Sequence, residues 1–374
     1  MKIAGIVQAL ETIAPPTLAQ EWDNVGLLVG DEGADVRKLV VCVDLTAQVL
    51  AEAVRGKAQM ILTHHPVIPK GITRVTSRQT PLVFDAISRR VAIYCIHTNF
   101  DAAAYGTTDV LVESLGLKRT RPLRPHVTHG RCKIVTFVPP DDLSRVCESA
   151  FAAGAGHIGK YHDCAFFSHG IGAFCGGEGT HPRIGRAGKS EVAEEIRLEV
   201  IAPKAKAAQV CSAIAASHSY ENAAIDVYPL EDHTQGCGLC QVGELPRPVT
   251  VRKLILRVKK ALGVKEALVA GRPGKSGGVK RANLVSTAAC CAGSGKHFVR
   301  DAIAAGATFY LTGEIGHHEA LEAGEAGMTV VVVGHGNSER VAMRRLGKRL
   351  GEMLPKPKVK IAFANTDHDP LEVI

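Results

Sequence analysis

The sequence predicts an α/β protein: a mixed-sheet α/β domain made of two halves, with a ferredoxin-like α+β module inserted between them. Three observations predict it. Near-continuous apolar strands alternate with helical segments before residue 125, the same rhythm returns after residue 233, and the order of elements between them differs from both.

The chain opens with Ile3, Ile6, Val7, Leu10 and Ile13 at helical spacing and Glu11 among them, which predicts a helix within residues 1–18 rather than a secretion signal. Strands follow at 39–43, 59–62 and 91–96, with helices at 47–57, 80–89 and 107–115. The C-terminal half repeats this with strands at 283–289, 308–311 and 329–333 and helices at 296–305, 317–326 and 338–354. Between them a strand at 132–137, a helix at 142–152, strands at 161–168 and 195–201, a helix at 204–217 and a strand at 224–229 give the order βαββαβ, the split βαβ plan. The expected division is therefore a discontinuous α/β domain, 1–125 with 233–374, and an inserted module at 126–232. The glycine-dense stretch 170–188 within the module reads as a mobile flap or an assembly contact.

At 374 residues the chain suits two domains, each able to bury its own core. Its net charge of +8 is spread over separate basic stretches, Arg119 to Arg124, Arg252 to Lys260 and Arg344 to Arg349. That favours anionic small molecules and argues against a nucleic-acid footprint, since the few aromatic residues do not interleave with the basic ones. No apolar run approaches the roughly 20 residues that span a bilayer, so no membrane role is expected. The 11 cysteines, scattered through apolar segments, read as reduced thiols of a cytoplasmic protein. Cys237 and Cys240 have CxxC spacing without a second pair and read as structural thiols. Gly274-Lys275-Ser276 and Gly295-Lys296 each fail to complete a phosphate loop.

Chemistry concentrates where strands end. His64 and His65 follow the apolar run Met60-Ile61-Leu62, His97 and Asp101 follow Ile93 to Ile96, and His335 and Glu339 follow Val330 to Gly334. Loops leaving the carboxyl ends of strands form the ligand crevice of an open α/β sheet. Adjacent His64 and His65 point in different directions and suit two separate metals. His97 with Asp101, and His335 with Glu339, share a face if helical, and a carboxylate between such pairs can bridge two cations. Imidazole and carboxylate without thiolate favour Zn, Mn, Fe, Co or Ni. His97 serves equally well as an imidazole that orients Asp101 or a substrate. His318, after His317 and Thr312-Gly313-Glu314, occupies a further strand exit.

These residues also resemble a known family. Glu21-Trp22-Asp23-Asn24-Val25-Gly26-Leu27-Leu28-Val29-Gly30, Thr63-His64-His65-Pro66, His97-Thr98-Asn99-Phe100-Asp101, Cys291-Ala292-Gly293-Ser294-Gly295, Thr312-Gly313-Glu314 and Gly334-His335 with Ser338-Glu339 resemble, in order and separation, the Nif-three-like dinuclear metal centre proteins, often labelled GTP cyclohydrolase 1 type 2 homologues. The middle segment is similar to the PII-like or CutA-like insertion of longer bacterial members. The resemblance implies that His64, His65, Asp101, His335 and Glu339 are metal ligands holding two divalent ions, with Glu339 bridging. It also implies a homo-oligomer, a toroidal hexamer. Glu314 and His317 depart from the aspartate and tyrosine commoner in bacterial members, and leave all five ligands intact.

Two divalent cations sharing a carboxylate suit hydrolysis, which makes a metal-dependent hydrolase of a small anionic or nucleotide-like substrate the first expectation, with His97 or His318 as acid, base or orienting group. The alternative is a non-enzymatic metal-binding scaffold whose insert senses a ligand. Five protein ligands shared by two metals leave open positions, which suits catalysis better than a closed structural site.

Overall fold

A computed structural model describes residues 1–271, 284–355 and 359–371. Gly274-Lys275-Ser276 and Asn283 lie outside the described residues. The chain divides into two compact units, one of Met1–His126 and Thr234–Ile374, the other of Val127–His233.

The first unit begins with α1 (Ile3–Ile13), whose Ile3, Ile6, Leu10 and Ile13 are buried. The helix stops there, short of residue 18, because Pro15 and Pro16 cannot continue it, and a short 3-10 turn Pro16–Leu18 follows. Then come β1 (Gly26–Val29), β2 (Lys38–Cys42), α2 (Ala47–Arg55), β3 (Met60–Thr63), α3 (Pro81–Ser88), β4 (Ala92–Cys95), α4 (Thr98–Ala102), α5 (Thr107–Leu115) and the long β5 (Lys118–Val138), whose residues from Val127 on belong to the second unit. α2 is capped by Thr46, whose Oγ1 accepts from Val49 N at 3.2 Å.

The second unit holds α6 (Leu143–Ala152), β6 (Ala165–Cys175), β7 (Ser190–Pro203), α7 (Ala207–Ser217) and the start of β8 (Ile225–Thr250). Its strand order is β6-β7-β5-β8. One buried cluster, including Ile134, Val138, Val146, Leu198, Val200, Val210 and Ile214, joins both helices to one face of these strands. The glycine-dense stretch is only partly a loop: Gly170 to Cys175 lie in β6, which pairs with β7 from Ala165↔Val200 down to Cys175↔Ser190.

Back in the first unit are α8 (Val251–Leu262), β9 (Leu268–Ala270), β10 (Leu284–Ser294), α9 (Val299–Ala304), β11 (Phe309–Glu314), α10 (His317–Glu325), β12 (Thr329–Val332), α11 (His335–Met353) and β13 (Lys360–Phe363). α8 coincides with the basic stretch at 252–260. It forms because Leu254, Val258 and Leu262 share one buried face and the lysines and arginines take the other.

The first unit contains two sets of parallel strands. β2, β3 and β4 run parallel inside a five-stranded sheet of order β1-β4-β3-β2-β13. β10, β11 and β12 run parallel in the series β8-β10-β11-β12-β9. One buried cluster contains Leu39, Leu62 and Tyr94 from the first sheet, Ala288, Phe309 and Val331 from the second, and residues of α1, α5, α8 and α11. Those four helices therefore form a layer shared by both sheets. Their parallel strands deliver His64, His97 and His335 to the same crevice.

The expectation of reduced thiols fails at one pair. Cys240 on β8 and Cys291 on β10 are disulfide-bonded, with Cα atoms 4.4 Å apart. The cause is register: Cys290 stands opposite Gln241, so the next pair along the two antiparallel strands is Cys291 with Cys240. The other nine cysteines are free.

Candidate metal centre

The cluster is built from the ends of β3, β4 and β12. His64 leaves β3 with its N–H donating to Val43 O at 3.1 Å, and His65 N donates to the same carbonyl at 3.0 Å. The two rings diverge, as adjacent residues on an extended exit must: their planes meet at 54° with centroids 5.1 Å apart. His64 Nδ1 is bonded to Ile96 O at 2.8 Å, and His65 Nδ1 to Asp44 Oδ1 at 2.8 Å. Each ring is thus fixed through Nδ1, leaving Nε2 for the cluster.

α11 brings the opposite wall. Its first residue, His335, has Nδ1 held by Glu314 at 3.1 Å. One turn on, the Glu339 carboxylate, 2% exposed, has Oε1 3.7 Å from His64 Nε2 and 3.3 Å from His335 Nε2, and Oε2 3.5 Å from His65 Nε2. Asp101 Oδ1 lies 3.6 Å from His64 Nε2 and accepts a hydrogen bond from Thr107 Oγ1. Glu339 is therefore central, with three imidazoles around it.

Two features fit a metal ion. His64 Nε2 and Glu339 Oε2 are buried without a hydrogen-bond partner, which is costly unless something else satisfies them. Donor separations of 3.3 to 3.7 Å are long for hydrogen bonds and suit two donors sharing a cation about 2.1 Å from each. Two groups, His64 with His65 and His97, and His65 with His335 and Glu339, have ligand atoms within 4.8 Å of one another.

The electrostatics follow from this crowding. Burial opposes a charge on His64, yet Asp101 and Glu339 raise its pKa to about 9. The bond to Glu339 raises His335 likewise to about 9 against its burial. Burial also opposes ionisation of Glu339, but His64, His335 and His65 hold its pKa far below the ordinary carboxylate range. A cation must displace the two imidazole protons. Adding metal at pH 7.5 should thus release about two protons per chain from these groups, and affinity should rise with pH until about 9. Calorimetry in buffers of different ionisation enthalpy reads this directly; equal proton release at pH 7.5 and 10 would contradict it. The sign for stability is the reverse. In metal-free protein both groups are raised above their unfolded value of 6.5, so their contribution is complete below that and lost as pH rises through about 9.

Of the residues marked by the sequence, His64, His65, His97, Asp101, His335 and Glu339 come together here. His318 does not join them: it is exposed at the start of α10, its ring against His317, outside both ligand groups. Sequence reading gave no role to Asp44 or Asp23. Asp23 accepts from His97 Nδ1 at 2.9 Å and from Thr98 N at 3.0 Å, and against burial these bonds lower its pKa to about 2. The signal for Asp44 was its place, two residues past the end of β2.

Fold and cluster together define a mixed α/β protein whose histidine and glutamate groups are placed to hold a metal ion. No described helix is long and apolar enough to cross a membrane. The model of the Duf34/NIF3 (NGG1p interacting factor 3) family matches residues 1–370, and the chain belongs to that family. It is 32% identical to a "GTP cyclohydrolase 1 type 2 homolog" of Halalkalibacterium halodurans, covering 100% of both chains. It is 33% identical to the protein of that name from Bacillus subtilis, over 98% of this chain and 96% of the other. Among solved structures, a Bacillus cereus protein related to NIF3 matches with TM-score 0.66 and 32% identity, over 100% of this chain and 99% of that one. The fold is also that of Staphylococcus aureus SA1388, TM-score 0.77 at 23% identity over 100% and 99% of the two chains.

Proposed function

We propose that this chain is a metal-dependent hydrolase with a dinuclear centre, acting on a small anionic or nucleotide-like substrate. The supporting observation is the Glu339 carboxylate, buried and shared, with His64 and Asp101 grouped beside one another and His65 and His335 forming a second group with it. Two cations, when bound there, supply Lewis acidity to the attacking water and to the leaving oxygen. The chain's own residues do the rest. Asp44 and Glu314 fix the tautomers of His65 and His335, so that both present Nε2. Asp23 does the same for His97, which lies with His64 and His65 in one ligand group; the set of His64, His65, Asp101, His335 and Glu339 leaves its Nε2 to orient a substrate or move its proton. The ferredoxin-like insertion belongs to this proposal too, supported by the βαββαβ order of the second unit.

The relatives' name points to one reaction to include, opening of the guanine ring of GTP with release of formate. Metal content by mass spectrometry, followed by a panel of phosphoesters, nucleotides, amides and GTP, tests the reading. About two ions per chain and turnover that falls at least a hundredfold in Asp101→Ala are expected. Near-zero metal after reconstitution, or turnover equal in wild type and variant, would remove the hydrolase.

A further inference from the structure

Trp22 is the single tryptophan of the chain and is 69% exposed. An indole left in water forgoes the burial that usually stabilises a large ring, so a fixed exposed one calls for a reason. Trp22 sits in a fixed segment. Asp23 beside it takes the bonds from His97 and Thr98, Asn24 Nδ2 donates to Ile68 O at 2.7 Å, and Gln20 N donates to Thr98 Oγ1 at 2.9 Å. Residues 20–24 are thereby tied to the start of α4 and to the loop after His65.

The indole and the His97 ring form a T-shaped pair, centroids 6.0 Å apart with planes at 74°. The His97 ring is in turn 5.2 Å from that of His64 and 5.4 Å from that of His65. Trp22 therefore forms an aromatic rim one ring away from the ligand cluster. With Nδ1 of His97 held by Asp23, its other nitrogen is available beside that rim.

We propose that Trp22 is a stacking platform for a planar aromatic or heteroaromatic ring in the substrate, holding it beside His97 so that the bond to be cleaved reaches the cluster. An indole face offers a planar aromatic ring an extended dispersion and quadrupole contact that an acyclic phosphate cannot return, and such contacts tolerate varied ring substituents. This rests on the cluster being the reactive site proposed above, and it names the substrate class of that site.

A single tryptophan makes intrinsic fluorescence a direct reporter. Metal-loaded protein would be titrated with guanosine 5′-monophosphate, a pterin and nicotinate, and with ribose 5-phosphate and glycerol phosphate as ring-free controls. Saturable quenching by at least one ring compound and none by the controls is expected. Trp22→Ala should weaken that compound's binding about tenfold or more by calorimetry, with metal content unchanged, and Trp22→Phe should restore most of it. The proposal is overturned if the ring compounds behave like the controls, or if Trp22→Ala binds as well as wild type. It is also overturned if the ligand-free indole is already shielded from acrylamide, because another copy then covers it. Metal measured on the same samples separates the two readings. Ring-specific binding to protein that takes up no metal removes only the hydrolase, and full metal without ring binding removes only the platform.

Discussion

A Glu339→Ala variant is expected to lose its metal almost entirely, from about two ions per chain to well below one. The effect should exceed that of removing any single imidazole, because the Glu339 oxygens lie within 3.3 to 3.7 Å of the Nε2 atoms of His335, His65 and His64. Deleting His65 leaves the His64 and Asp101 side intact; deleting Glu339 removes the shared donor and the negative charge that draws cations into a buried place. Glu339→Gln keeps the volume and one oxygen but not the charge, and should lose metal to a similar extent. Stability separates charge from shape. In metal-free protein the depressed pKa of Glu339 contributes stability above the ordinary carboxylate range, lost as pH falls through and below it. Its removal leaves His64 and His335 without their counter-charge, an effect of about 3 kcal/mol near pH 6 by denaturant unfolding that shrinks toward pH 9 as the imidazoles discharge. Wild-type metal content in Glu339→Ala would sink both the shared carboxylate and the dinuclear reading.

Why the cluster was legible in sequence while its supports were not is a matter of range. His64, His65, Asp101, His335 and Glu339 stand just past apolar runs, and the rule that crevices form at the carboxyl ends of parallel strands needs no knowledge of the partners. The rings' orientation does need it: Asp44 reaches His65 across 21 residues and Asp23 reaches His97 across 74. β13 pairs with β2 from the far end of the chain, and four residues, one exposed and three of intermediate burial, carry too little periodicity to announce a strand. β1 is equally short and lies at a sheet edge. α8 hid behind its charge, its apolar positions spaced among lysines and arginines. The Cys240–Cys291 bond depends on the register of β8 against β10, to which a separation of 51 residues gives no clue. His318 shows the converse failure, since a histidine at a strand exit is placed near a crevice by topology but aimed by the helix that follows.

Gly293→Ala should also strip metal from the site, though it removes no ligand. Gly293 has φ +61, a region that costs an alanine about 1 to 2 kcal/mol. A Cβ there would lie 2.5 Å from Glu339 Oε1 and 3.2 Å from His335 Nε2. The backbone cannot yield easily: Gly293 N donates to Ser338 Oγ at 2.8 Å, Ser338 Oγ donates to His335 O at 2.6 Å, and a Cβ on Gly313 would already be 2.6 Å from Gly293 O. Glu339 is closed in by His64 and His65 on its other side, so the methyl group must push the carboxylate out of line with the imidazoles. Affinity at the site should fall at least about tenfold, since displacing the groups around a metal has effects of that order. Gly306→Ala isolates the cause. Gly306 has φ +75 with nothing within 4 Å of its Cβ position, so that variant carries the backbone strain without the collision. Both should lose a few degrees of melting temperature when metal-free, by about 1 to 2 kcal/mol, and only Gly293→Ala should lose metal on dialysis against a weak chelator. Equal retention by the two variants would mean that the Glu339 carboxylate has room to move, and that the Gly293 turn serves the backbone alone.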